Sequence, residues 1–297
     1  MDNYYSHGFA AFFDSSYTGW VDRFSPRLVE HLAQAAGDDL TAADICCGTG
    51  VTAAHFLEGG WTLYGVDGSE AMLDLARTRH TGRIEEGRFC LIQADARSFD
   101  LPTNVAACVS LDGALNHLPS LDDLRQCFTA VASALAPAGE FVFDLYEQSH
   151  FLHWNHATLT DSREAVVVKR GVWDTGSRRG MLRVSGVFDA GDRAQRVDQT
   201  LTSWYYDDTD VTDALHAAGL EPLSHGFGGI DLKCDSGSCS RTDVPCRTIY
   251  RARKASPAAA SMRPPFFTTG NAVAPAAAKP VSAISEGKRS GRGFSDQ

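Results

Sequence analysis

Between residues 42 and 145 the chain alternates short apolar segments with longer amphipathic ones. Short apolar segments bounded by turn residues fit buried strands, and the amphipathic segments between them fit helices that cover a sheet. This alternation is typical of βαβ units, so it predicts an α/β fold with a mostly parallel sheet and helices on both faces. The predicted strands are TAADICC, TLYGVD, FCLIQAD, AACVSLD and EFVFDL.

An acidic residue lies at the end of each of the first four predicted strands: Asp44, Asp67, Asp95 and Asp112. Open α/β sheets bind ligands beyond the carboxyl ends of their strands, so we expect these carboxylates to lie along one binding crevice. Because carboxylates accept hydrogen bonds and attract cations, the ligand should carry donors or a positive charge.

A turn of small residues, CGTG at 47–50, follows the first predicted strand. Such a turn lets the backbone approach a nucleotide-like ligand closely. Read from Gly48, it also satisfies the dinucleotide pattern G-x-G-x-x-[GA], with Ala53 in the last place. A nicotinamide cofactor has no use for Asp44 or Asp95, however. S-adenosylmethionine carries an ammonium, a ribose diol and an adenine amine but no phosphate, so it is favoured, and a nicotinamide-dependent oxidoreductase stays the alternative.

Three further regions flank the alternating core. Residues 1–38 predict an N-terminal helical cap, with a leading helix from Ser25 in SPRLVEHLAQAAG. Residues from about 160 to 207 are rich in β-branched and aromatic side chains, which predicts an inserted antiparallel sheet. A helix, DVTDALHAAGL, and two closing strands, EPLSHGF and CRTIYRA, follow it. Residues 254–297 lose apolar periodicity, which predicts a disordered tail.

Four segments at the strand ends carry a family resemblance: DICCGTG, YGVDGSEAML, QADARSF and LDGALNHLPSLDDL with LAPAGEFVFDLYE. Together, from about Phe9 to Ala252, they resemble the class I S-adenosylmethionine-dependent methyltransferases. The similarity is greatest to the bacterial small-molecule group with an antiparallel insertion, which includes aminosugar N-methyltransferases. The resemblance implies a Rossmann-like sheet over residues 39–253, with the insertion as a β lid. It also implies methyl transfer from S-adenosylmethionine to a nitrogen or oxygen of a small metabolite.

The resemblance further assigns cofactor-binding roles. Asp67 would bind the ribose hydroxyls, and Asp95 would hold the adenine. The full set of implied cofactor-binding residues is Asp44, Cys46, Gly48, Gly50, Asp67, Gly68, Ser69, Asp95, Ala96 and Leu111. The first glycine of the usual loop is Cys46 here, which is tolerable if that position keeps a negative φ, because only then does a Cβ cost little.

The Tyr-Asp pair that often opens such chains reads Phe13-Asp14 here, so a hydroxyl that the family places on the cofactor is missing. Tyr4, Tyr5 and Tyr17 are the candidates to replace it.

His117 and Tyr146 are the candidate catalytic residues, because they follow the fourth and fifth predicted strands, toward which the transferred methyl group should point. Asn116 and Glu147 are expected beside them. An unperturbed histidine has a pKa near neutral pH, so His117 could act as a base. A histidine that only holds a loop carbonyl is equally common, and this alternative stays open.

The sequence predicts no metal site. His150, His153 and His156 recur every third residue, which suggests a metal site, but with no matching acid or cysteine they favour a polar helix face instead. Eight cysteines are too few for a disulfide framework. Five are expected to be small buried hydrophobes: Cys46, Cys47, Cys90, Cys108 and Cys127. The other three, Cys234, Cys239 and Cys246, match no zinc spacing and are expected as free thiols in a loop.

Charge and hydropathy limit the partners. The net charge is −10, and an acidic chain without a basic stripe is a poor match for nucleic acid. There is no apolar run of membrane-spanning length and no basic leader, so we expect a cytoplasmic monomer or homodimer that acts on a small molecule, not on a membrane. A non-catalytic S-adenosylmethionine-binding protein stays an alternative, and a protein or RNA acceptor is disfavoured by the acidic composition.

Overall fold

The computed structural model describes residues 5–190, 193–223 and 246–255. Within these ranges the strands form two sheets. In chain order they are β1 (Thr41–Ile45), β2 (Thr62–Asp67), β3 (Phe89–Gln93), β4 (Val105–Ser110), β5 (Leu135–Tyr146), β6 (Ala157–Asp161), β7 (Ala165–Asp174), β8 (Arg179–Asp189), β9 (Ala194–Trp204), β10 (Leu220–Pro222) and β11 (Arg247–Lys254).

The larger sheet has the strand order β10-β11-β5-β4-β1-β2-β3. Strands β1 to β5 pair with one another in parallel. Strand β11 runs antiparallel between β5 and β10. The strand order reverses between β1 and β4, and crevices at such reversals are where open α/β sheets bind their ligands. The predicted parallel sheet is therefore confirmed.

Helices lie between the strands as the sequence predicts. In chain order they are α1 (His7–Ser16), α2 (Gly19–Ala36), α3 (Val51–Glu58), α4 (Glu70–Arg79), α5 (Thr81–Glu85), α6 (Leu121–Ala134), α7 (Gln148–Leu152) and α8 (Asp208–Ala217), with a 3-10 turn over Ala114–His117. Ser69 caps α4 by accepting the amide of Met72, and Ser120 caps α6 by accepting the amide of Asp123. Each cap satisfies one otherwise unpaired amide at a helix start, which fixes where the helix begins.

Apolar clusters cover both faces of the large sheet. On one face α6 and α8 pack over β4, β5 and β11, where the rings of Phe141 and Phe143 stack with their centroids 4.7 Å apart. On the other face α2 and α3 pack over β1 and β2 through Trp20, Phe56 and Trp61. Buried aromatic rings contribute the most apolar area per residue, so these clusters set the layer order.

The insertion forms the second sheet, with the strand order β6-β7-β8-β9 and antiparallel pairing throughout. Val167, Val184 and Val197 are fully buried on its inner face and pack in one cluster with Phe9 and Phe12 of α1. The helix therefore lies against the insertion. This sheet begins at residue 157, a little before the predicted boundary, because every residue of β6 is exposed and gives no apolar signal.

Three sequence expectations differ from the structure. Helix α2 begins at Gly19 and not at Ser25, although Pro26 lies inside it, where a proline removes a helical hydrogen bond and normally marks a first turn. Cys90 is exposed on the edge strand β3 and not buried. Cys246 is buried beside β11 and not in an open loop. The remaining loop cysteines, most of EPLSHGF and the predicted tail beyond residue 255 lie outside the described residues.

Candidate functional site

A cavity of about 160 Å³ lies at the carboxyl ends of β1, β2 and β4. Nine of the ten residues expected to bind the cofactor line it: Asp44, Cys46, Gly48, Asp67, Gly68, Ser69, Asp95, Ala96 and Leu111. Gly50 is the exception, since it does not line the cavity. It precedes α3 with a left-handed φ of 77°, and a Cβ there would lie 3.0 Å from the ring of His80. Gly50 is thus required by the turn itself and not by contact with a ligand.

Asp67 joins the two loops that border this cavity. Its Oδ2 accepts the amide of Gly48 at 2.9 Å, and its Oδ1 accepts the amide of Ser69 at 2.8 Å. Burial raises the pKa of the Asp67 carboxyl, and the two amide hydrogen bonds oppose that shift. Because each carboxylate oxygen can accept two hydrogen bonds, Asp67 keeps acceptor capacity for a ligand hydroxyl while it holds the loops together.

Asp44 is 2% exposed, and its Oδ2 has no hydrogen-bond partner among the described residues. Burial, followed by the nearby charge of Asp67, raises the pKa of the Asp44 carboxyl well above its usual value. A buried carboxylate oxygen without a partner is costly unless a ligand supplies a donor or a cation. The ammonium of the methionine moiety of S-adenosylmethionine is such a group, so the residues present fit this cofactor.

Asp95 lies at the same edge but is already paired. Its two carboxylate oxygens accept hydrogen bonds from Arg97 at 2.9 Å and 2.6 Å, and Arg97 holds the pKa of the Asp95 carboxyl below its usual value. Asp95 Oδ1 also accepts the backbone amide of Arg97, which makes a local turn. The carboxylate therefore lines the cavity in ionised form, and adenine binding by Asp95 stays a prediction.

Cys46 has a φ of +61°, so the expectation of a negative φ is wrong. The reason is the hydrogen-bond pattern of the loop: the amide of Cys47 donates to the carbonyl of Val66 at 3.0 Å, and the amide of Gly50 donates to the carbonyl of Cys47 at 3.0 Å. These bonds turn the chain back within five residues. A left-handed conformation raises the conformational free energy of a residue with a Cβ by about 1–2 kcal/mol. Cys46 therefore holds this amount of backbone strain in the folded loop.

Helix α1 closes the cofactor cavity from the N-terminal side. Asp14 accepts two hydrogen bonds from the guanidinium of Arg79, at 2.8 Å and 2.9 Å, and one from the hydroxyl of Thr49 at 2.5 Å. Arg79 also donates to the carbonyl of Thr49. These hydrogen bonds connect the end of α1 to the glycine loop and to α4. The sequence alone does not predict this connection.

A second cavity, of about 410 Å³, lies between α1, the loop after β4, the end of β5 and the insertion. Four residues line both cavities: Tyr5, Phe13, Asp112 and His117. The two cavities therefore meet at these side chains. Of the tyrosines considered as replacements for the missing hydroxyl, Tyr5 lines both cavities, Tyr17 lines the second alone, and Tyr4 lies outside the described residues.

The ring of His117 is held from the insertion side. Its Nδ1 lies 2.7 Å from the carbonyl oxygen of Thr202, so Nδ1 must carry the proton and donate it. Burial lowers the pKa of His117. A neutral ring with a proton on Nδ1 leaves Nε2 as an acceptor, so the loop-holding alternative and the base alternative are compatible in one residue.

Asp112 belongs to a buried ionic network. Its carboxylate accepts a hydrogen bond from the hydroxyl of Tyr146 at 3.1 Å and lies 3.3 Å from the guanidinium of Arg247. Arg247 also pairs with Asp144 at 3.0 Å and stacks on the ring of Trp20 at 3.6 Å. From the sequence, Asp112 is expected as one carboxylate of the binding crevice, without the ionic partners found here. The strand-end position was the only available signal, since Arg247 is distant in sequence.

Two neighbours of the candidate catalytic residues do not face either cavity. Asn116 is fully buried, donates to the carbonyl of Trp204 at 2.8 Å and accepts the amide of Tyr146 at 2.8 Å. Glu147 accepts the hydroxyl of Thr248. The expectation that all four residues face the methyl group is therefore wrong for these two, whose side chains connect backbone segments.

The three histidines near residue 153 all line the second cavity: His150, His153 and His156. Their interpretation as a polar helix face is wrong because α7 ends at Leu152 and the chain leaves the helix before the last two. The ring of His150 stacks on that of Tyr146 at 3.8 Å. Within the described ranges, no three His, Cys, Asp or Glu side chains lie together as a metal site.

The strand order, the crevice and the strand-end carboxylates match the fold of the class I S-adenosylmethionine-dependent methyltransferases, and comparison with known proteins agrees. Residues 42–139 match the family of the methyltransferase domain. Residues 42–139 of the chain therefore form a methyltransferase domain, and the chain is similar to bacterial sugar N-methyltransferases.

One curated relative is the dTDP-3-amino-3,4,6-trideoxy-alpha-D-glucopyranose N,N-dimethyltransferase of Streptomyces venezuelae. It is 26% identical over 195 residues, which cover 64% of this chain and 79% of that protein.

Two solved structures share the fold. An S-adenosylmethionine-dependent methyltransferase from Clostridium acetobutylicum has a TM-score of 0.68 and 19% identity, covering 84% of this chain and 98% of that one. The amino pentose methyltransferase CalS10 from Micromonospora echinaspora, solved with S-adenosylmethionine bound, has a TM-score of 0.63 and 21% identity, covering 86% and 99%. The described part of this chain contains no helix long and apolar enough to cross a membrane.

Proposed function

We propose that this methyltransferase transfers a methyl group to a nitrogen or oxygen of a small metabolite bound in the second cavity, with an amine nitrogen as the best supported acceptor. The observation that carries the proposal is the meeting of the two cavities at Asp112 and His117. A cofactor in the first cavity and an acceptor in the second would touch the same side chains. The cavity of about 410 Å³ suits a metabolite in size.

Three further points support a small amine. The carboxylate of Asp112 borders both cavities and would attract an ammonium. The Streptomyces relative and CalS10 are named as enzymes that act on amino sugars. The net charge of −10 opposes binding to nucleic acid.

S-adenosylmethionine, when bound, supplies a methyl group that its sulfonium has already activated. The protein must then align the acceptor and accept its proton. His117 Nε2 is the available acceptor, because Nδ1 is committed to the carbonyl of Thr202. Asp112, held in place by Tyr146 and Arg247, would stabilise positive charge on the acceptor nitrogen and on the protonated histidine. The bound cofactor would supply the methyl group and leave as the thioether, while Asp112 would hold the acceptor nitrogen and His117 would take its proton.

The test is turnover of metabolite extracts with S-adenosylmethionine that carries an isotopically labelled methyl group. We expect a labelled small molecule, detected by mass spectrometry, and an equal amount of S-adenosylhomocysteine. Asp44→Asn serves as the control with weakened cofactor binding. If calorimetry shows cofactor binding but no extract yields a labelled product, the protein is a non-catalytic binder. Stabilisation by a nicotinamide cofactor and not by S-adenosylmethionine in a thermal-shift assay would contradict the cofactor itself.

A further inference from the structure

We propose that the second cavity contains an anion subsite formed by the ammonium of Lys169 and the hydroxyl of Tyr17, so that the acceptor carries a carboxylate or phosphate group besides its reacting atom. This inference rests on the proposed function, since it concerns the molecule that would be methylated. Both residues line the second cavity and neither lines the first.

Lys169 lies on the inner face of the insertion sheet. Side chains alternate between the two faces of a strand, and in β7 Val167 and Trp173 are buried while Val166 and Val172 are more than half exposed. Lys169 shares the inner face with the buried pair. A lysine on the packed face of a sheet, with its ammonium directed into a cavity, is unusual, because charged side chains are rarely buried unless they are paired.

No carboxylate of the described residues pairs with the Lys169 ammonium. Among the described residues, its ammonium makes a cation–π contact with the ring of Tyr17, whose centroid is 4.5 Å away. Burial lowers the pKa of Lys169, and no nearby charge opposes that shift. Asp112 lines the same cavity, but the ion pair it forms is with Arg247 and not with Lys169. The counter-charge for this ammonium is therefore absent from the described chain, and a ligand can supply it.

Tyr17 provides the second, independent observation. Its hydroxyl is buried and has no hydrogen-bond partner within the described ranges. A buried hydroxyl without a partner costs stability, so such groups are usually satisfied by a ligand or by water. Burial and the nearby charge of Asp112 raise the pKa of Tyr17, which keeps the hydroxyl protonated and able to donate. The Lys169 ammonium lies over the ring of Tyr17, so the two groups border the same part of the cavity.

The second cavity therefore has two parts that suit different chemical groups of the acceptor. One end, at Asp112 and His117, suits a nitrogen that must lose a proton. The other end, at Lys169 and Tyr17, suits an anionic oxygen that accepts charge-assisted hydrogen bonds. A molecule with an amine and a carboxylate or phosphate would satisfy both the unpaired ammonium and the unpaired hydroxyl, whereas a neutral amine would leave both without partners.

The first experiment measures anion binding without turnover. Acetate and inorganic phosphate are titrated at constant ionic strength into protein saturated with S-adenosylhomocysteine, and tryptophan fluorescence is followed because Trp154 lines the cavity. Lys169→Met should abolish a saturable response, Lys169→Arg should keep it, and Tyr17→Phe should weaken it. Arg170→Met is the matched control, since Arg170 is exposed on the opposite face of the same strand and its loss removes the same charge. An equal response in Lys169→Met and Arg170→Met overturns the subsite.

The second experiment measures the charge of the product. Extract is separated by ion exchange before labelling, and we expect the methylated molecule among the anionic or zwitterionic fractions. Phosphatase treatment distinguishes a phosphate from a carboxylate. With the active fraction, Lys169→Met should raise KM about 10- to 100-fold at nearly unchanged kcat, as for loss of a charge-assisted hydrogen bond, and Arg170→Met should not. A labelled product without an anionic group refutes the subsite and leaves the proposed function standing. Saturable anion binding without any labelled product refutes the proposed function alone.

Discussion

The substitution His117→Asn distinguishes the hydrogen bond that His117 donates to the carbonyl of Thr202 from its proposed role as a base. The amide nitrogen of asparagine can reproduce the donor at Nδ1, which lies 2.7 Å from the carbonyl oxygen of Thr202, but it has nothing at the position of Nε2. The loop hydrogen bond, of about 0.5–1.5 kcal/mol, would therefore remain while the base is lost. A general base contributes about 10²- to 10⁴-fold, so kcat should fall at least 10²-fold, or about 2.7 kcal/mol in activation free energy.

The assay is steady-state turnover at saturating cofactor, with cofactor affinity measured separately by calorimetry. His117→Asn should bind S-adenosylmethionine like the parent, and its melting temperature should stay within about 2 °C. His117→Ala is the matched comparison, because it loses both the base and the loop hydrogen bond and should also be less stable. A His117→Asn enzyme with parental kcat would show that His117 only holds the loop.

The pH dependence gives an independent check on the same residue. Burial lowers the pKa of His117 below its ordinary value of 6.5, so the ring is neutral and able to accept a proton at pH 7. Turnover should therefore fall only when the pH drops below that lowered pKa, and the acidic limb should disappear in His117→Asn. The unfolded chain binds the proton first, so His117 should also reduce the free energy of unfolding as the pH falls below about 6.5.

Four other outcomes are expected. Asp67→Ala should weaken S-adenosylmethionine binding by about 2–3 kcal/mol in calorimetry, and it should lower the melting temperature because two loop amides lose their acceptor; unchanged affinity would contradict ribose binding. Cys46→Gly should be about 1 kcal/mol more stable than Cys46→Ala in urea unfolding, because only glycine relieves the positive φ; the opposite order would contradict strain there. Arg247→Met should destabilise the fold by about 3–5 kcal/mol in the same assay, since it leaves the buried carboxylate of Asp144 without its cation; a loss below about 1 kcal/mol would contradict that pairing. Removal of residues 256–297 should change neither the melting temperature nor cofactor affinity, as their composition predicts; failure to fold after truncation would show that the predicted boundary is misplaced.

The features that could be predicted from sequence depend on neighbours along the chain. Apolar runs of strand length, serines one residue before helices, and acids at strand ends are local signals, and they located β1 to β5, the caps at Ser69 and Ser120, and the side chains of the cofactor cavity. Because parallel strands end at one edge of the sheet, the chain order of the acids was enough to bring Asp44 and Asp67 together.

The features that could not be predicted depend on contacts between distant segments. The φ of Cys46 is set by the carbonyl of Val66, which the sequence does not connect to it. Lys169 reads as an ordinary polar residue of an alternating strand, and only the packing of the insertion on α1 shows that it lies on the inner face. Arg247 is more than 100 residues from both of its acidic partners. Long-range charge pairing has no local signature.

The fastening of α1 by Asp14 to Arg79 and Thr49 has a kinetic consequence. Phe13, one residue earlier, borders both cavities, so a displacement of α1 that opens one cavity also disturbs the other. Release of S-adenosylhomocysteine and release of the methylated product would then both require the same displacement of α1. We therefore expect a compulsory order of binding, in which a bound acceptor slows cofactor exchange and high acceptor concentrations inhibit turnover by trapping the spent cofactor. Asp14→Asn weakens the interaction of α1 with Arg79 and Thr49, and residue 14 lines neither cavity. This substitution should therefore relieve that inhibition.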